Sequence, residues 1–265
     1  MTVRLFSARD GAPDATRRVE RKFYVAPRQV GMAGGLLRQV CRPDAEYPTG
    51  LVHSLYFDSF DLDEYVDSQS GDYGKDKVRI RWYGEPDDSD DLDEPRAVFV
   101  ELKSKRGFVG TKRRRELRVP GHCLTAPGLA RGVLPRAVLD GIVSSFGYFP
   151  AKPLYPVVRV SYRRYRFVEP LTGERVALDT RIRSTMVLMR PGNSARELEL
   201  AGAVIELKGA SIELPGLLRR IGMLSVDWSR FSKYAACVEA HEERPGAIGR
   251  LSPSGRVSGL PVRGI

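Results

Sequence analysis

Hydrophobic and polar residues alternate with a period of two through most of the chain. The alternation covers residues 18–25, 51–58, 77–83, 96–105, 112–118, 155–167, 175–180, 185–190 and 197–208. Such a period puts successive side chains on opposite faces of an extended backbone, so these segments predict eight or nine β-strands. Apolar spacings of three and four occur only at 27–40, 136–146, 214–222 and 230–242. They predict a few peripheral helices, the first opened by Pro27, a residue suited to an initial helical turn. Residues 1–16 and 244–265 lack apolar periodicity and are expected to be flexible ends around a single domain at 17–243.

The polar faces of these strands are unusual. A half-buried strand ordinarily sets mixed polar residues toward water, but here the polar positions carry charge in register. Val78, Ile80 and Trp82 alternate with Arg79, Arg81 and Tyr83, and Val98, Val100 and Leu102 with Glu101, Lys103 and Lys105. Ile205 and Leu207 oppose Glu206 and Lys208, and Glu20 shares a face with Lys22. Paired charges on four strands fit faces that converge on a shared cavity, as in a barrel interior. Buried unpaired charge costs several kcal/mol per ion, so a basic interior calls for a polyanionic ligand and interleaved carboxylates. A hard cation, Mg²⁺ or Mn²⁺, would bridge such a carboxylate to phosphate oxygens.

Composition sharpens this picture. The chain has 265 residues and a net charge of +10, although Glu85, Asp87, Asp88, Asp90, Asp91, Asp93 and Glu94 form one acidic loop. Without that loop the 43 basic residues face only 26 acidic ones, a balance that points to phosphate-rich ligands, nucleic acid or anionic lipid. Arginine outnumbers lysine 34 to 9, yet Lys22, Lys103, Lys105, Lys112, Lys208 and Lys233 all fall in the segments described above. A lysine ammonium is a compact, mobile charge where arginine is a rigid fork, so this placement is a signal in itself. Cys41, Cys123 and Cys237 are too few and too scattered for a disulfide framework or zinc site and are expected to be reduced. No apolar run approaches the roughly 18 to 20 residues of a membrane span, and the expected location is cytoplasmic, with any membrane association through a partner or an anionic surface.

Eight segments together resemble the VTC-domain polyphosphate polymerases of the triphosphate tunnel metalloenzyme (CYTH-like) superfamily. They are Glu20-Arg-Lys22-Phe-Tyr24, Ser54-Leu-Tyr56-Phe-Asp58, Val78-Arg-Ile-Arg81-Trp-Tyr83, Phe99-Val-Glu101-Leu-Lys103, Tyr162-Arg-Arg164, Arg175-Val-Ala-Leu-Asp179, Val204-Ile-Glu206-Leu-Lys208 and Phe231-Ser-Lys233-Tyr234. The resemblance implies an α+β fold, an antiparallel eight- to nine-stranded β-tunnel closed as a barrel, with a charged interior and peripheral helices. It also implies transfer of the γ-phosphate of ATP to a growing polyphosphate chain, with Mn²⁺ or Mg²⁺ as cofactor. On the matching positions, Lys22, Arg79, Arg81, Lys103, Arg164 and Arg175 are implied catalytic phosphate ligands. Lys105, Lys112, Arg114, Lys208, Lys233, Glu20 and Tyr24 are implied to bind substrate, and Glu206, with Glu101 as a second candidate, to hold the metal.

One departure limits the resemblance. The wider superfamily opens its first strand with E-x-E-x-K, whereas this chain has Arg18-Val-Glu20-Arg-Lys22, which argues against the adenylyl cyclase and thiamine triphosphatase branches. A tunnel triphosphatase with water as acceptor, and a noncatalytic polyphosphate- or nucleotide-binding module, remain the alternatives. Nucleic acid is not expected as a partner, because Lys112-Arg-Arg-Arg115 on a strand sends Lys112 and Arg114 one way and Arg113 and Arg115 the other. The outward arginines are expected to form a solvated or membrane-adjacent patch. Asp179 is expected to pair with an arginine, and Trp82 and Trp228 to pack.

Overall fold

The computed structural model describes residues 19–70, 74–84, 92–106, 109–189, 196–209, 213–224 and 231–242. In chain order the elements are β1 (Val19–Val25), α1 (Val30–Val40), β2 (Arg42–Pro43), β3 (Thr49–Asp58), α2 (Asp63–Ser70), β4 (Gly74–Tyr83), β5 (Pro95–Arg106) and β6 (Val109–Pro120). There follow α3 (Ala126–Ala130), α4 (Arg136–Ser145), β7 (Tyr155–Val168), β8 (Arg175–Met186), β9 (Leu198–Leu200), β10 (Ala203–Gly209) and α5 (Lys233–Glu242). Short 3₁₀ segments lie at Pro27–Gln29, Gly121–Leu124 and Gly216–Leu224. Both expected flexible ends, Trp228 and most of the acidic loop lie outside the described residues.

The chain forms two compact units, the first built on Val52–Val160 and Thr185–Pro191, the second on Arg17–Leu51, Ser161–Ser184 and Gly192–Ile265. Strands β7 and β8 contribute residues to both. In the first unit the hydrogen-bonded order is β7-β3-β4-β5-β6. Leu55, Phe57, Val78, Ile80, Trp82, Val100, Leu102 and Leu117 project from one face of that sheet into a core closed by Leu139, Ile142 and Val143 of α4. In the second unit the order is β1-β10-β8-β7, with β9 on β8 and β2 on β7. Phe23, Val25, Ile205, Leu207, Val176 and Leu178 meet Leu37 of α1 and Leu218 and Ile221 of the 3₁₀ segment. In each unit the helices therefore cover the apolar sheet face, and the charged alternate positions fall on the other.

Every ladder whose register is described is antiparallel. Among the described residues ten strands form where eight or nine were expected, two of them only two or three residues long. Among the described residues the strand order runs from β1 to β6, and no ladder joins those two strands. Residues 175–180 and 185–190 do not form separate strands, since β8 runs continuously to Met186 although Arg181 adopts φ 49°. Conversely, 197–208 divides into β9 and β10 at Gly202, whose φ is +85°. A side chain there would collide with the Val25 carbonyl and the Tyr24 ring, so the turn needs glycine.

Helix α2 was not expected, for it has no apolar stripe. It is started by the buried Asp58, whose carboxylate accepts the backbone N–H groups of Ser59, Glu64 and Tyr65 at 2.7, 3.0 and 3.0 Å. The described cysteines are all free. Trp82 packs in the first core and stacks on His53, with centroids 5.4 Å apart. Among the described residues no helix is long and apolar enough to cross a membrane.

Candidate functional site

The charged face of the first unit is organised in cross-strand rows. Ser54, Arg81, Phe99 and Glu116 make one row across β3, β4, β5 and β6, and Tyr56, Arg79, Glu101 and Arg114 make the next. Below them Lys77, Lys103 and Lys112 stand directly opposite one another on β4, β5 and β6, with Lys75 facing Lys105 beyond. Like charges in direct cross-strand opposition are destabilising, so the lysine row is held against its own repulsion.

Glu101 is the counter-ion of this face. Its side chain is 1% exposed; Oε2 accepts two bonds from Arg79 at 2.7 and 2.8 Å, while Oε1 lies 2.6 Å from Lys112 Nζ and 3.6 Å from Arg114 Nε. Burial pushes the Glu101 carboxyl pKa up, but Arg79, Arg81 and Lys112 outweigh it and hold it below the usual carboxylate range. Burial of the Lys112 ammonium lowers its pKa to about 8; Arg79 and Arg81 push the same way and Glu101 opposes them. The arginines are fixed in position: Arg79 donates to Tyr56 Oη at 3.1 Å, Arg81 to Ser54 Oγ at 3.2 Å, and Arg114 lies 3.5 Å over the Phe99 ring.

The second unit has a denser arrangement. Arg164 on β7 grips Asp179 on β8 through a fork at 2.6 and 2.7 Å and also donates to Glu206 Oε2 on β10 at 2.7 Å. Lys233, the first residue of α5, places its Nζ 2.6 Å from both Asp179 Oδ2 and Glu206 Oε1. Ser232 fixes that helix start by accepting the Ala235 N–H at its Oγ, 3.3 Å away. The Tyr162 ring lies beneath both cations, 5.3 Å from Arg164 Cζ and 5.0 Å from Lys233 Nζ. Burial alone would raise the Glu206 pKa, yet Lys233, Arg164, Lys22 and Lys208 hold the carboxyl well below its ordinary value. Burial alone would lower the pKa values of Lys233 and Arg164, and Asp179 and Glu206 reverse that and raise both.

The remaining expected residues flank this network. Lys22 stands beside Glu206 in the β1–β10 register, donates to the Phe231 carbonyl at 3.2 Å and lies 3.8 Å from Glu20. Glu20, Lys208 and Arg175 form the adjoining row, the last two exposed. Tyr24 is buried, with its hydroxyl 3.5 Å from the Ala201 carbonyl and its pKa raised by burial. Arg113 and Arg115 lie on the opposite face of their strand, near Gly147 and over Phe146 at the end of α4.

The structure thus gathers Arg79, Arg81, Glu101, Lys103, Lys112 and Arg114 on one face of the first unit, with Lys105 on its rim. It gathers Lys22, Arg164, Glu206 and Lys233 on one face of the second, with Glu20, Lys208 and Arg175 in the next row. Sequence reasoning missed Lys77, although it precedes Arg79 and Arg81 at the same period of two. It also missed Tyr162 as the platform for two cations and Asp179 as a second carboxylate on Lys233.

Among the described residues no group of three or more His, Cys, Asp or Glu side chains is arranged to hold a metal. Two carboxylates are the usual protein share of a magnesium site completed by substrate phosphates. Glu206 and Asp179 fit that role, since one oxygen of each already converges on a single cationic nitrogen. Glu101 does not, because three cationic side chains occupy its oxygens.

A two-unit antiparallel protein with one charged face per unit agrees with the sequence comparison. The VTC domain family model matches residues 17–241, and the chain belongs to that family. No curated protein matches it. Similar solved structures include a candidate adenylate cyclase from Bacillus halodurans, 15% identical with a TM-score of 0.46, over 80% of this chain and 91% of that one. Another is a candidate adenylyl cyclase from Hippeastrum with a dominant triphosphatase activity, 18% identical with a TM-score of 0.41, over 83% and 95% of the two chains. A candidate adenylate cyclase from Vibrio parahaemolyticus is 9% identical with a TM-score of 0.35, over 79% and 84%.

Proposed function

We propose that the protein is a metal-dependent phosphotransferase that moves the γ-phosphate of ATP onto a growing polyphosphate chain. The observation that carries this reading is the row of Lys77, Lys103 and Lys112, three ammonium groups in direct opposition beside a carboxylate already shared by three cations. An extended polyanion laid along such a row relieves the mutual repulsion of its ammonium groups. Closure of the strands into a tunnel, as the family resemblance implies, is part of the proposal.

Phosphoryl transfer asks a protein to align the reactants and to offset charge on the phosphoryl oxygens. Lys103, Lys112, Arg79 and Arg81 are proposed to hold successive phosphates, with Lys77 added to the set and Lys105 and Arg114 at its edge. Lys22, Arg164, Arg175, Lys208 and Lys233 are proposed to do so in the second unit. Glu20 would tune the charge of Lys22, and Tyr24 would act through packing. A divalent ion held by Glu206 and Asp179 would supply Lewis-acid charge at the phosphate oxygens. Glu101 is proposed as a counter-ion rather than a ligand. An oxygen of the acceptor's terminal phosphate attacks the γ-phosphorus, the bond to the β–γ bridging oxygen breaks, and ADP leaves. The acceptor is already anionic, so no protein side chain need take its proton.

Steady-state ADP release with ATP and Mn²⁺ tests these roles. Lys103→Ala should act mainly by raising KM and Glu206→Ala by lowering kcat, each reducing kcat/KM by about 100-fold or more. Turnover within about twofold of the parent in both variants would overturn the assignment. ADP and free phosphate without chains would transfer the same residues to a triphosphatase.

A further inference from the structure

The Glu206–Asp179 pair already has a cation. Lys233 Nζ sits between Oε1 of one and Oδ2 of the other at 2.6 Å from each, a position from which a single cation serves both. With Arg164 the set holds two negative and two positive charges, and it is well buried: Asp179 is 0%, Lys233 7%, Glu206 9% and Arg164 13% exposed at the side chain. Lys22 and Lys208 add positive charge within electrostatic reach of Glu206. A free divalent ion would therefore meet no net negative charge, and its arrival would leave buried positive charge unbalanced at a cost of several kcal/mol.

We propose that Lys233 is the resident cation of these two carboxylates, and that a divalent ion reaches them only together with a triphosphate, which takes over the displaced ammonium. The inference rests on the phosphotransfer reading for the identity of the anion.

Lys233 is the group that yields. Arg164 makes three charge-assisted bonds, two of them in a planar fork on Asp179, whereas Lys233 makes two through one nitrogen. A lysine head on a four-carbon stem swings without moving its backbone, and a guanidinium fork does not give up a bidentate partner so readily. The backbone of Lys233 is meanwhile anchored at the capped start of α5, and its ammonium lies beside the Tyr162 ring. The swing exchanges one anionic partner for another: the ammonium leaves carboxylate oxygens for phosphate oxygens, and Glu206 and Asp179 would then be free to hold a divalent ion. Lys233 thus prevents the metal from binding alone and couples its entry to substrate.

The test measures Mn²⁺ binding, by the EPR signal of free Mn²⁺ and by calorimetry, without turnover. In the parent protein, affinity for free Mn²⁺ should rise at least about tenfold when a nonhydrolysable ATP analogue is present. Lys233→Met keeps the aliphatic stem and removes the charge. Without any nucleotide it should bind Mn²⁺ at least about tenfold more tightly than the parent, and Mn²⁺ should raise its melting temperature but not that of the parent. Equal nucleotide-free affinity in parent and variant would overturn the proposal. If the variant fails to fold without metal, the parent arm decides: Mn²⁺ binding that is indifferent to the analogue overturns the proposal. Neither arm reads chain synthesis, so a protein that makes no polyphosphate could still pass or fail this test.

Discussion

At the scale of single residues, the site depends on cations too numerous for the carboxylates beside them. Glu101 neutralises one charge among Arg79, Lys112 and Arg114, and the excess sits on side chains that differ in how firmly they keep their proton. Arginine stays charged throughout the accessible range. Lys112 does not, since burial of its ammonium, with Arg79 and Arg81 pushing the same way, brings its pKa down to about 8 although the side chain as a whole is 43% exposed. A lysine that loses its proton as pH rises through that value stops attracting phosphate. Affinity for a nonhydrolysable ATP analogue, measured by calorimetry, should therefore fall between pH 7 and pH 9 beyond the fall in the Lys112→Arg variant, which keeps its charge. Parallel profiles for the two proteins would remove Lys112 from the phosphate site.

The residues on these faces were legible because a period of two displays a strand's polar face directly. Lys77 escaped notice because it is the first residue of its alternating segment, where Asp76 takes the position an apolar residue would fill, so only one side of it carries the pattern. The bridge from Lys233 to Asp179 was not legible at all. It depends on where α5 docks against the second sheet, 54 residues along the chain from Asp179, and no local pattern records that.

At the scale of elements, Glu64 ties three segments of the first unit together. It belongs to α2, accepts the Asp76 N–H of β4 at 3.1 Å, and accepts the Tyr148 hydroxyl proton at 2.6 Å from the segment after α4. Burial, opposed by the Tyr148 hydrogen bond and reinforced by the nearby Asp58 and Asp76, raises the Glu64 pKa to about 7. A carboxyl that binds its proton more tightly when folded favours the folded state at low pH. That contribution is complete below the unfolded value of about 4.3 and is lost as pH rises through about 7. Urea denaturation should accordingly show the parent losing stability from pH 5 to pH 8 relative to Glu64→Gln, whose side chain does not titrate. The opposite slope would contradict the assignment.

The long alternating strands and the helices at 27–40 and 136–146 were recognisable from pattern alone, since each buries a face that its sequence marks. The elements made by a single contact were not. Helix α2 exists through the Asp58 cap rather than an apolar stripe, and the break between β9 and β10 exists because one glycine lies against the Val25 carbonyl. Such features are fixed by tertiary neighbours, which periodicity does not encode.

At the scale of the whole molecule, a net charge of +10 is distributed so that each unit turns an apolar face to its own helices and keeps a cationic face opposite. The two cationic faces differ in kind. In the first unit positive charge is in excess, which favours holding a polyanion along a row of lysines. In the second, two carboxylates and two cations balance within one buried cluster, the arrangement on which the proposed coupling of metal to substrate rests. The family assignment over residues 17–241 covers both units. The most direct measurement of that reaction is to incubate the purified protein with γ-labelled ATP and Mn²⁺ and resolve the products on a gel. The account predicts a ladder of labelled chains that lengthens with time; label recovered solely as free phosphate, or left entirely in ATP, would contradict it.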